Sequence, residues 1–313
     1  MEINKVYITG RYAAQVASLK AEIQQNTKLQ WELVDKPENA DLILFFDCVD
    51  EHLLNLQANK VLIRQEPKMV LPDVYTSKKI RNFDSIINVG KPKEKTSKNI
   101  YWPQKINLPN SNLPEKNNSK AVLINRNLLS LDINEMYSLR REVCINSDYI
   151  DIYGYGWNMG FISMLRMFVI EIRKYVMKPH HIRLKGLRYF FRKQRNFKGS
   201  VENKILTMEN YRIAIVIENT PNYVSEKLFD SFSAGCIPVY VGPELIKYEI
   251  PSNLYIQTQP NRKSILSAIE RAKKIDYENW FKELENWLRS DDCKDNWSEE
   301  SYLSRLKDLI IHQ

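Results

Sequence analysis

The stretch IENTPNYVSEKLFDSFSAGCIPVYVGP, residues 217–243, decides how the rest of the chain is read. It joins two apolar runs, YRIAIVI ending at Ile217 and CIPVYVG beginning at Cys236, through a short polar turn and a helix-forming segment. Continuous apolar runs bounded by turn residues suit strands buried on both faces, as in a parallel sheet. The stretch therefore predicts a strand, a helix beginning near Tyr223 or Val224, and a return strand. In such a unit ligands gather beyond the carboxyl ends of the strands, where helix N-termini present unpaired N–H groups. Glu218, Asn219, Tyr223, Glu226 and Lys227 fall at that end. The helix dipole opposes a cation in the first turn by roughly 0.3–1 kcal/mol. Lys227 thus calls for an anion, and a bound diphosphate would supply one. The plainer alternative is a solvated Glu–Lys pair on a helix surface.

The same alternation extends in both directions. KVYITG, the Ala-rich RYAAQVASLKAEIQQ, LQWELV, DLILFFDCV, HLLNLQ, KVLIRQEP and FDSIINVG fill the first ninety residues with strand-like and helix-like signals in turn. Residues 91–120 are rich in Pro, Asn and Lys and read as a long connection. Beyond them come AVLIN, a helix near NEMYSLRREVC, the strand DYIDIYG, and the later strands YRIAIVI, CIPVYVG and LYI. From about Asp276 the spacing becomes helical, with Ser298 before Glu299 and Glu300 as an N-terminal signal. At 313 residues the chain has room for two α/β domains, each with its own core.

Composition is that of a globular protein, 43% hydrophobic and 27% charged, which argues against disorder. The four cysteines, Cys48, Cys144, Cys236 and Cys293, form no CxxC pair, so a reduced compartment is expected. The start, MEINKVYITG, lacks the charged end and long apolar stretch of a signal peptide, and a cytoplasmic location follows as the expectation. The net charge of +8 is local in origin: residues 160–198 hold eleven Lys/Arg against one acid, Glu171. That segment also carries Phe161, Phe168, Tyr175, Tyr189, Phe190 and Phe191. A basic, aromatic-rich amphipathic helix suits an anionic membrane surface; an interdomain helix with a solvated basic face is the alternative. No nucleic-acid module accompanies the charge, and nucleic acid is not expected as a partner.

Taken in order, ENT (218–220), YVSEKLFDSFSAG (223–235) and CIPVYVG (236–242) resemble the donor-sugar motif of the α1,3/4-fucosyltransferase family, which uses GDP-fucose. Upstream, FKGSVENKILTMENYR, YSLRREV and DIYGYGWN resemble the same family's bacterial donor domain, so the likeness covers roughly residues 120–260. The resemblance implies a GT-B glycosyltransferase, with two Rossmann-like α/β/α domains facing a cleft and a helical C-terminus. The expected division is an acceptor-side domain at 1–118, a GDP-sugar domain at 119–295 with the basic insertion at 160–198, and a closing helix at 296–313. It implies that Lys227 and Arg140, with Arg141 close behind, hold the diphosphate. Tyr223 would add a hydroxyl to the phosphates, Glu226 would accept from ribose or fucose hydroxyls, and Asn219 would shape the turn and touch the donor. Glu218 is either a donor contact or a buried acceptor for loop N–H groups. The loop between ENT and YVSEK, only Pro221 and Asn222, is shorter than in many members.

Departure of GDP builds negative charge that cations or a metal must hold. No Asp-x-Asp tripeptide occurs, and His52, His180, His181 and His312 form no ligand-spaced cluster with carboxylates, so no metal cofactor is expected. An inverting transfer also needs a base for the acceptor hydroxyl. In KVLIRQEPKMVLP, Glu66 lies just past an apolar strand and Pro67 holds it in an extended turn. It resembles the family's Glu-Ser-Pro element, whose glutamate is the base, with the serine missing; Glu51, Asp47 and Asp73 are the fallbacks. The expected reaction is fucose transfer from GDP-fucose to a bacterial glycan, with a lipid-linked acceptor at the inner membrane face. Another GDP-sugar is the alternative donor, and a non-catalytic basic protein binding membrane or nucleic acid is the alternative of another class.

Overall fold

The computed structural model describes residues 5–25, 30–76, 78–90, 100–110, 116–176 and 184–311. Its elements open with β1 (Lys5–Gly10), α1 (Ala13–Gln25), β2 (Glu32–Leu33), β3 (Leu42–Phe46), β4 (Asn59–Arg64), the single turn α2 (Asp73–Thr76) and β5 (Ser85–Asn88). Next come β6 (Asn117–Ile124), α3 (Tyr137–Cys144), β7 (Ile150–Tyr153), α4 (Phe161–Val176), β8 (Phe197–Gly199), α5 (Lys204–Met208) and β9 (Tyr211–Ile217). The chain continues through α6 (Glu226–Ser233), β10 (Ile237–Val241), β11 (Ile256–Gln257), α7 (Arg262–Ala272) and α8 (Tyr277–Arg289) to α9 (Asp291–Trp297) and α10 (Glu299–Ile311). Two compact units result, residues 1–105 with 291–313, and residues 106–290.

The first unit is a parallel sheet in the order β2-β1-β3-β4-β5. Every residue of β3, LILFF, is buried, as the uninterrupted apolar run requires. Leu42, Leu44 and Phe46 face one layer with Leu19 and Ile23 of α1, while Ile43 and Phe45 face the other with Leu71, Val74 and Phe83. Each such side chain contributes roughly 1.5–3 kcal/mol by leaving water. The C-terminal helices complete the first of these layers. Tyr302, Leu303, Leu306 and Leu309 of α10 join its core, and Trp297 stacks on Tyr101 at 4.5 Å.

The expected boundaries at 118/119 and 295/296 therefore differ from the units that the contacts define. The second unit begins at Ile106, and 291–313 belongs to the first rather than standing as a separate helix. Helical spacing in the C-terminal sequence identifies α8 and α10 but carries no information on which sheet they cover. Asp276 caps α8 through the Asn279 N–H, and Ser298 caps α10 through the Ser301 N–H. Of the expected connection 91–120, residues 91–99 and 111–115 lie outside the described residues, and 117–120 already belong to β6.

The second unit is a six-stranded parallel sheet in the order β11-β10-β9-β6-β7-β8. Counted within the unit this is the doubly wound order 3-2-1-4-5-6 read from the other edge. Its strand order reverses between β6 and β9, the point where such sheets open a crevice for ligands.

Candidate functional site

A crevice of about 480 Å³ lies along the carboxyl halves of β6 and β9, at this reversal. Its walls come from the turns after β6 (Asn125, Arg126) and after β7 (Gly154, Tyr155), from Glu202 and the first residue of α5, Lys204, and from Asn219 after β9 with the first turn of α6 (Glu226, Lys227). The close fit of the first two turns depends on Gly154. Its φ of +119° is open only to glycine, and a Cβ there would collide with the Asn125 carbonyl.

Helix α6 starts at Glu226, two to three residues later than the sequence pattern suggests, because Ser225 takes the N-cap position. Ser225 can do so because Glu218, fully buried at the end of β9, fixes it. The carboxylate accepts the Ser225 N–H at 3.0 Å and the Ser225 hydroxyl at 2.7 Å. The Tyr240 hydroxyl adds a longer contact at 3.4 Å. Glu218 is thus the buried acceptor for loop N–H groups, the second of its two expected roles, and does not line the crevice.

Lys227 lines the crevice with its Nζ 2.8 Å from Ser225 Oγ and 3.7 Å from Glu218 Oε2. The anion that its place in the first turn demands is therefore present within the protein. Glu226, 4.0 Å from Lys227 and 3.6 Å from Lys204, stands at the crevice wall. Enclosure by the walls pushes its carboxyl pKa upward, but Lys227 and Lys204 outweigh that and hold it below the ordinary value.

Arg140, on α3, is buried, yet it reaches the crevice. One guanidinium nitrogen donates to the Ile217 carbonyl at 2.7 Å and to Asn219 Oδ1 at 2.9 Å, and the group lies 4.8 Å from the Tyr137 ring centroid. Its Nε is buried without a hydrogen-bond partner. Burial lowers the Arg140 pKa, opposed by Tyr137, Glu218, Glu135 and Glu226, and a guanidinium stays charged all the same. Arg141 points elsewhere. It donates to the carbonyls of Leu128 and Arg188 and to Asn127, packs over Phe190, and does not line the crevice. Its role in the structure is to tie the turn after β6 to the segment before β8.

No family model matches the chain. A protein of Arabidopsis thaliana described as fucosyltransferase-like is 39% identical over 69 residues, 20% of this chain and 13% of its own length. Among solved structures, an α1,3-fucosyltransferase superposes with a TM-score of 0.53 at 14% identity, covering 98% of this chain and 90% of its own. An α-glucosyltransferase in complex with UDP and DNA superposes at 0.56 with 11% identity, covering 99% of this chain and 100% of its own. The chain has the GT-B fold. The likeness to fucosyltransferases first drawn from the motif of residues 218–242 is thus met by sequence and by fold. The Arabidopsis match covers well under two thirds of that protein.

In the first unit of this GT-B chain, Glu66 follows β4 by two residues. The buried Asp47, at φ 53°, accepts the backbone N–H groups of Gln65 at 2.8 Å and of Glu66 at 3.2 Å. The Tyr75 hydroxyl donates to the Glu66 carbonyl at 2.8 Å. The backbone of the turn is therefore pinned, and Glu66 is half-buried. Burial pushes the Asp47 pKa up against the two N–H bonds, and its oxygens are already committed to the turn, which argues against Asp47 as a base. Glu51 and Asp73 are exposed, Asp73 in the first turn of α2. Tyr12, just past β1, shares the Glu66 corner: burial first, then the Glu66 charge, raises its pKa.

The crevice thus brings together Arg140, Asn219, Glu226 and Lys227 and leaves out Arg141, Glu218 and Tyr223, the last of which is buried and not part of the lining. Sequence reasoning missed Asn125, Arg126, Tyr155 and Lys204. The signal for Tyr155 was present in Gly154-Tyr155-Gly156, a pair of glycines directly after a strand, both at positive φ. Arg126 and Lys204 carry no comparable local mark.

Proposed function

We propose that the second unit binds a nucleoside-diphosphate sugar, GDP-fucose first among them, and that the chain transfers the sugar to a glycan hydroxyl with inversion. The observation that carries this reading is the crevice at the strand-order reversal, where Arg140 and Lys227 share one wall system with Arg126 and Lys204. Negative charge grows on the diphosphate as the glycosidic bond to the sugar loosens, and preorganised cations stabilise it by about a few kcal/mol each. In this reading Arg140 and Lys227 hold the diphosphate without a metal, Asn219 orients Arg140, and Glu226 accepts from sugar hydroxyls. Glu66 serves as the base that takes the acceptor proton. An α1,3 linkage and a bacterial surface glycan, lipid-linked at the cytoplasmic membrane face, complete the proposal.

A solved α1,3-fucosyltransferase in complex with GDP-fucose, at a TM-score of 0.51 and 13% identity, supports the donor class. The UDP-bound α-glucosyltransferase of the same fold keeps UDP-sugars, beside other GDP-sugars, as the second reading. A thermal-shift panel of GDP, UDP and their sugars tests the choice. A nucleotide at about 100 times its Kd stabilises by roughly 2.7 kcal/mol, an upward shift of several degrees. Release of GDP from GDP-fucose in the presence of acceptor supports fucosyl transfer. Absence of a shift with any nucleotide removes the reading, and a shift with UDP alone changes the donor.

A further inference from the structure

Helix α4 turns its apolar side outward. Phe161, Ile162, Leu165, Val169 and Ile170 are all exposed, the first two to 68% and 69%. At about 100° per residue they share one half of the helix with the exposed Arg166 and Arg173. The other half packs inward, with Met164 buried in a cluster with Leu129 and Phe190, and with Met167 and Phe168 against it. Glu171, the one acid of the basic segment, is on this inner half, where it is buried and accepts the Leu131 N–H at 3.3 Å. The acid therefore points in and the arginines point out. A helix that faces water carries the reverse distribution.

The patch continues beyond the helix. Phe191, 45% exposed, has its ring 5.9 Å from that of Phe161 and rests on the buried Phe190 at 5.2 Å. Lys185, Arg188, Arg192 and Lys193 are exposed in the same 184–193 segment. Residues 177–183, with Lys178, His180, His181 and Arg183, lie outside the described residues.

Charge selects the occupant. A second copy docking through the same face would set Arg166 and Arg173 against an identical basic surface. A nucleic acid would satisfy the arginines but leave the aliphatic and aromatic side chains in water. An anionic bilayer takes both, with apolar groups in the headgroup–acyl boundary and arginines at the phosphates. Among the described residues no helix is long and apolar enough to cross a membrane, and a 16-residue helix lying flat is the geometry this distribution suits.

We infer that the outer face of α4 is an interfacial membrane-binding surface for anionic phospholipid, with Phe161, Ile162, Leu165 and Phe191 inserted and Arg166 and Arg173 at the headgroups. The helix joins β7 to β8 in the unit that holds the crevice. A bilayer-anchored acceptor then follows, a step that rests on the donor reading above.

The test is co-sedimentation of the full chain with vesicles of phosphatidylcholine alone and of phosphatidylcholine with about three-tenths phosphatidylglycerol. The parent protein is expected to pellet with the anionic vesicles about ten-fold more than with the neutral ones, and less as salt rises. Ile162→Glu with Leu165→Glu changes two exposed positions, so the fold should persist by circular dichroism while vesicle binding falls about ten-fold. The nucleotide thermal shift, measured without vesicles, should survive in that variant. Its loss in parent and variant alike would count against the donor reading alone. Equal binding of parent and variant, or no binding of the parent to anionic vesicles, overturns the membrane proposal. So does a parent dimer that the two substitutions dissolve while neither protein binds vesicles.

Discussion

Glu218 holds both hydrogen-bond donors of Ser225: one carboxylate oxygen accepts the Ser225 N–H at 3.0 Å and the other accepts its hydroxyl at 2.7 Å. The chain from Glu218 to Ser225 is thereby closed into a loop whose end is the N-cap of α6. The same carboxylate lies 3.7 Å from Lys227 Nζ, so the loop, the helix start and the crevice cation are set by one buried charge.

Removing that charge should be costly. Glu218→Ala leaves the buried Ser225 N–H and hydroxyl without their acceptor and takes the buried carboxylate from beside Lys227, whose ammonium keeps Ser225 Oγ, and breaking a buried pair costs about 3–5 kcal/mol. Glu218→Gln keeps an acceptor for Ser225 and should cost less, about 1–2 kcal/mol. Urea unfolding of the three proteins checks the order. Wild-type stability in Glu218→Ala would show that the loop is held by other contacts.

Lys227→Ala separates ligand binding from folding more cleanly than a change at Arg140. Lys227 keeps some solvent access, and its loss leaves Glu218 still satisfied by Ser225. The expected result is a nucleotide affinity lower by about ten- to a hundred-fold, equivalent to roughly 1.4–2.8 kcal/mol, in a protein that remains folded. Arg140→Ala should impair both properties, because it also abandons the Ile217 carbonyl. Calorimetric titration with GDP, beside the melting curve, distinguishes the two variants. An unchanged affinity in Lys227→Ala would take that residue out of the site.

The fold was legible wherever burial on both faces forces an apolar run, as in YRIAIVI and LILFF, because a strand with no solvent face cannot hide its composition. What the pattern could not carry is the return of α10 to the first sheet. The contact of Tyr302 with Gln65, 3.1 Å apart and 237 positions away in the chain, leaves no mark on local periodicity. The crevice shows the same division. Asn219, Glu226 and Lys227 lie within nine residues and were found together, whereas Arg126, in the turn after β6, and Lys204, at the start of α5, come from separate parts of the chain that meet because β6 and β9 are neighbours. Tyr223 and Arg141 were read from the family resemblance. Tyr223 is buried away from the crevice and Arg141 is turned onto backbone carbonyls, directions that a sequence motif does not encode.

Glu66→Gln tests the base. The Glu66 backbone is held by Asp47 and Tyr75, so the amide should sit where the carboxylate did. Loss of a positioned base is expected to lower kcat by about 10²–10⁴-fold. GDP affinity should not change, since the nucleotide is assigned to the other unit. Initial rates with GDP-fucose and a glycan acceptor, together with a GDP titration, check both halves. Full activity in Glu66→Gln would assign proton removal elsewhere.

The last prediction concerns stability alone. Glu22, on α1, is pushed up to about 7 from an ordinary 4.5, first by burial and then by the charges of Glu299 and Glu300 at the start of α10. Its Oε1 is buried with no hydrogen-bond partner. The folded state thus holds the proton more tightly than the unfolded chain, which releases it near 4.5. The favourable contribution is therefore complete below that pH, declines as pH rises, and is gone above about 7. The full separation of the two values corresponds to about 3 kcal/mol, and screening of a half-exposed side chain reduces this to about 1–2 kcal/mol. Glu22→Gln removes the titration and keeps the shape. It should match the parent at pH 4.5 and exceed it by that amount at pH 8, with the gap opening between these values. Urea unfolding of both proteins at three pH values measures the gap, and a difference that does not vary with pH would mean that Glu22 is not the group that titrates.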